Sequence, residues 1–99
     1  MAGYVARTGA RKKKAILEQR EDDLRHHIRH EADFAKLERS SERVRDAQLG
    51  VIKALLYETE PASETEDQHA EFRANLVESR EEWLGLSTVE IVARYASES

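Results

Sequence analysis

An all-α fold is predicted by three observations. Residues 10–49 contain neither glycine nor proline, Gly50 is the first interruption and Pro61 is the single proline in 99 residues. The same stretch is dense in Arg, Glu, Lys, Ala and Leu, the residues that cost least in a helix. Its apolar residues recur in steps of three and four, the spacing of one helix face. The architecture expected is a long N-terminal helix forming an antiparallel hairpin with a second helix, plus a short C-terminal helix, the whole completed by oligomerisation.

Residues 1–9 are expected as a flexible basic arm, with Thr8 and Gly9 preceding the first helix. That helix is expected over residues 10–58. Forty residues at 1.5 Å each make about 60 Å of rod. Glu21–Arg25 stand four apart, and Asp22–Arg25, Glu42–Arg45 and Arg43–Asp46 three apart. Such pairs add only about 0.2–0.5 kcal/mol each and mark solvated faces. Phe34, Leu37, Val44, Val51 and Leu55 form one apolar stripe, with Ser41 and Gln48 in its seam and Ile52 and Leu56 beside it. Leu17, Leu24, Ile28 and Ala35 form another, with Glu21 and Glu31 in the gaps. The two frames are offset by one residue, so the apolar face rotates by roughly 100° near Ala35. Either the helix kinks there or its halves address different partners. A break at Ser40–Ser41 is the competing expectation.

Residues 59–64 read as the connection to a second helix, expected over 66–84. Ser63–Glu66 and Thr65–Gln68 both have capping-box spacing, which satisfies free amides at a helix start. His69, Phe72, Leu76 and Trp83 should form its buried face. Gly85 suits the left-handed position after a helix end. Ser87 and Glu90 make a further capping box, opening a third helix over 88–96 whose Val89, Ile91, Val92 and Tyr95 close the end of the bundle. Leu86-Ser87-x-x-Glu90-Ile91 resembles the opening of many helix-turn-helix helices over six residues, and is read as a cap on a short packing helix.

Length suggests a function. A second helix of about 19 residues spans about 28 Å. It can cover residues 37–56 of the rod but not Leu17, Leu24 and Ile28 as well. Each such side chain is worth about 1.5–3 kcal/mol when fully buried. Leu17, Leu24, Ile28 and Ala35 are therefore expected as a partner interface, and a second copy is the expected partner because closed homodimers are the commonest assembly. The chain then reads as a non-enzymatic protein–protein interaction module, an adaptor, assembly factor or scaffold.

Charge offers a second reading. The net charge is −4, yet residues 1–20 carry +5, residues 21–50 carry −2 and residues 51–99 carry −7. Arg7, Arg11, Lys12, Lys13 and Lys14 are the densest cationic run and suit phosphates of a nucleic acid. A third reading is a metal-binding bundle: His26 and His30 lie four apart with Asp22 and Asp33 on the same face, and two imidazoles at that spacing can chelate Zn²⁺, Ni²⁺ or Cu²⁺. Glu66 and His69 also match the Glu-x-x-His step of di-iron bundles. The sequence lacks cysteine, which excludes thiolate metal sites and fits a cytoplasmic protein. No cofactor is expected, and no window of about eighteen apolar residues spans a membrane. Neither a glycine-rich phosphate loop nor a nucleophile–base set suggests an enzyme.

Overall fold

The computed structural model describes residues 2–58 and 66–97, and the side chains of residues 9–57 and 70–97. It is all-α: α1 (Ala2–Arg29), α2 (Phe34–Glu58), α3 (Glu66–Gly85) and α4 (Thr88–Ala96). The side chains of Arg7, Glu58, Glu66 and His69, and the connection 59–65 with its Ser63 and Thr65 caps, lie outside the described residues.

The helix expected over 10–58 is two helices. It stops at residues 30–33, near the frame shift at Ala35 and about ten residues before the alternative at Ser40–Ser41. The stop is a Schellman motif. The Ala32 amide donates to the His27 carbonyl at 3.0 Å and the Glu31 amide to the Ile28 carbonyl at 3.2 Å. Glu31 takes the left-handed position, with φ 51°. Asp33 then caps α2: its Oδ1 accepts from the Lys36 amide at 2.9 Å, while its carbonyl accepts from Leu37 at 3.1 Å. At the other end, α1 begins at Ala2 and contains Gly9, so helical backbone covers most of the segment read as an arm.

The four-residue turn lets α1 fold back antiparallel along α2. The Lys13 stem lies across Gly50, 3.7 Å from the place where a Cβ would stand. The α1–α2 pairing is the most extensive in the molecule, and α3 lies along the C-terminal half of α2. Arg73 donates to the Leu56 carbonyl at 2.7 Å, and Arg45 to the Trp83 carbonyl at 3.1 Å and to the Leu86 carbonyl. Two antiparallel hairpins therefore share α2, and α4 lies against α1 and α2.

The core forms where these helices meet: Leu24, Val44, Ile52, Leu76, Trp83, Ile91 and Tyr95, with Leu17, Ile28, Leu37, Leu55 and Val92 among those packed around it. Ser40 and Ser41 are also enclosed, and the helix runs through them. Tyr95 donates to Glu21 Oε2 at 2.5 Å, and the Arg25 guanidinium lies over its ring, 5.3 Å from the centroid. Four expectations fail locally. Phe34, Phe72 and Val89 are exposed, because Phe34 opens α2, Val89 opens α4, and Phe72 lies in the N-terminal half of α3, away from the end where Trp83 meets α4. Gly85 belongs to α3 with no positive φ. The result measures 50 × 24 × 20 Å, about two helix diameters across its short axes.

Candidate interaction surface

The residues expected to meet a partner are mostly the chain's own core. Leu24 is fully buried, and Leu17 and Ile28 pack around it. Ala35 is exposed on a different helix, beyond the turn. These four do not make one outward stripe. A continuous rod would leave Leu17, Leu24 and Ile28 uncovered, but the turn at 30–33 lays α2 against them. Leu24 presents no surface to a partner, and Leu17 and Ile28 are half-buried around it.

Apolar surface remains elsewhere. Among the described residues, Ile16, Phe34, Tyr57, Phe72, Val77, Leu84 and Val89 are the exposed large apolar side chains. Val77 and Leu84 stand out because they share a helix and lie seven residues apart. They fall on one line about 100° round α3 from Leu76 and Trp83, which face the core. Ala70 and Ala74 are exposed and extend that line, in which the exposed Glu81 stands between Val77 and Leu84. Apolar residues thus occupy two faces of α3, and only one of them is covered. Arg80 flanks the open line on one side, and Glu71 and Glu78 on the other.

The basic run is dispersed by the helix it sits in. Arg11, Lys12, Lys13 and Lys14 are all exposed, but four consecutive helical residues point in four directions, about 100° apart. Lys13 faces the crevice between α1 and α2. There it joins Ile16, Arg20, Arg43, Asp46, Ala47 and Gly50 around a groove of about 280 Å³. Arg20 and Arg43 are the site residues sequence reading missed, since only the fold-back brings α1 and α2 side by side. Among the described residues, Lys13, Arg20 and Arg43 hold no ion pair.

The histidines do come together. The rings of His26 and His30 lie 4.3 Å apart between centroids, tilted by 46°, and His27 stands edge-on to His26 at 5.9 Å. Their expected acidic companions are engaged elsewhere: Asp22 pairs with Arg25 at 3.0 Å, and Asp33 caps α2. No cluster of three or more metal-ligating side chains occurs among the described residues. Arg29 stands in the last turn of α1 beside His26 and His27, where its charge opposes the negative end of the helix dipole.

The remaining charges fasten helices together. Arg94 pairs with Glu82 and stands over the Trp83 ring, 5.4 Å from its centroid. Arg45, expected beside Glu42, instead holds the end of α3. Ser87 and Glu90 form the expected capping box, with bonds of 3.2 and 3.0 Å. These bonds hold the Glu90 carboxyl below its ordinary range, Ser87's backbone amide contributing most and its hydroxyl next.

Among the described residues no helix is long and apolar enough to cross a membrane. No family model, no curated protein and no solved structure matches the chain.

Proposed function

We propose that this chain is a non-enzymatic, cytoplasmic helical interaction module that pairs with a second copy of itself through the outer line of α3. The observation that carries this reading is the two-faced apolar pattern of that helix. A helix apolar on one stripe packs on one neighbour, and a second stripe calls for a second neighbour. Leu76 and Trp83 meet α2, whereas Val77 is 37% exposed and Leu84 60% exposed. Ala70 and Ala74 lack bulk, which lets another helix approach closely. The flanks favour a second copy: Arg80 on one side and Glu71 and Glu78 on the other attract across two such helices running parallel, against the like charge of the two Glu81 carboxylates in the seam.

Sedimentation equilibrium at micromolar concentration tests the proposal. The full chain should have the mass of a dimer, and Leu84→Glu should have that of a monomer with unchanged helical circular dichroism. A monomeric full chain, or a Leu84→Glu variant that keeps the dimer mass, would contradict it.

A further inference from the structure

We propose that the groove between α1 and α2 binds the phosphodiester backbone of a single-stranded nucleic acid. Three cations line it from two helices: Lys13 and Arg20 from α1, and Arg43 from α2. None has an ion pair among the described residues. Asp46 is the one carboxylate in the lining, so positive charge is in excess. The small residues Ala47 and Gly50 keep the crevice open, and the Lys13 stem passes 3.7 Å from where a Gly50 Cβ would stand.

The spacing selects the ligand class. Lys13 and Arg20 are seven residues apart, about 10 Å along the axis of α1. An extended anion can engage both, whereas a single phosphate is better served by converging donors. Arg11, Lys12 and Lys14, exposed on the same stretch of α1, extend the positive field beyond the groove. A groove between two helices admits one strand but not a duplex. An acidic peptide would need pockets for side-chain anchors, and the lining supplies only Ile16 as an exposed apolar residue. The lining also lacks aromatic side chains, so bases are not stacked and binding is independent of sequence.

Fluorescence anisotropy with a mixed-sequence single-stranded oligonucleotide, across a salt series, tests this on the full chain. Binding should weaken linearly on a log–log plot. The double variant Arg20→Gln/Arg43→Gln should bind more weakly and lower the slope by about 1.4, close to 0.7 for each phosphate of a single strand that is no longer neutralised. The double variant Lys36→Gln/Lys53→Gln removes the same charge outside the groove and should leave the slope unchanged. Circular dichroism melting confirms that both variants fold. Absent binding at low salt overturns the proposal, as does an equal loss in the two double variants. Competition by polyglutamate as effective as by unlabelled strand would assign the groove to an acidic protein, and equal competition by inorganic phosphate would assign it to a small anion. Either result also overturns it.

Discussion

Glu31 sits in the left-handed region, φ 51°, at the end of α1. That conformation costs a non-glycine residue about 1–2 kcal/mol, and the fold tolerates it because the reversal it makes lets Leu24 reach the core. Glu31→Gly should therefore stabilise the protein by about 1 kcal/mol, read as a higher urea midpoint, and a lower midpoint would contradict the strain. Asp33→Ala should cost about 1 kcal/mol by freeing the Lys36 amide. The turn was hard to read from sequence because glycine, the usual sign of a left-handed end, is absent from it. Asp33 was a legible cap in principle, but it was hidden inside an unbroken run of good helix formers. Ser41 offers a third test. Its hydroxyl is buried without a hydrogen-bond partner among the described residues. An unmet buried polar group costs about 1–3 kcal/mol, so Ser41→Ala should raise the urea midpoint.

At the scale of helices, legibility follows how local the code is. The Ser87–Glu90 box lies within four residues, and α4 starts where those residues place it. Because folding lowers the Glu90 carboxyl pKa, the box contributes stability that is full above the ordinary Glu value of about 4.3 and is lost as pH falls through the lower folded value. A carboxyl titration by NMR should move Glu90 only part of the way back in Ser87→Ala, because the backbone amide that contributes most remains, and a complete return to the ordinary range would contradict that ranking. The Leu17–Leu24–Ile28 stripe was equally legible as a face that must be covered. What covers it was not, because periodicity reports that a side chain is buried and is silent on which helix buries it. Leu24→Ala should cost about 2–5 kcal/mol, as expected of a core leucine, and a cost within about 0.5 kcal/mol would return Leu24 to the surface. The inner line of α3 was read at Leu76 and Trp83. Its outer line at Val77 and Leu84 was missed, since a helix apolar on two faces gives no single stripe to follow.

Across the whole molecule, the turn at 30–33 decides which surfaces are free. A continuous rod would leave the N-terminal leucines unpartnered and spread the cations along a projecting arm. The fold-back encloses those leucines, aligns Lys13 and Arg20 with Arg43, and leaves α3 as the helix with an open apolar face. The helical class, the pairing of α2 with α3 and the capped start of α4 were available from the sequence. The groove was not, because Arg20 and Arg43 are distant in the chain and only the reversal makes them neighbours. The absence of cysteine allows a clean distance measurement across that reversal. Spin labels at Lys13→Cys and Gly50→Cys, with the labelled chain diluted in unlabelled chain, report one intramolecular separation. Antiparallel packing predicts helix axes about 8–10 Å apart at this level and a label distance close to it, resolved as strong dipolar broadening. A continuous helix would place the two positions about 55 Å apart, and a distance near that value would contradict the fold-back and every surface assignment built on it.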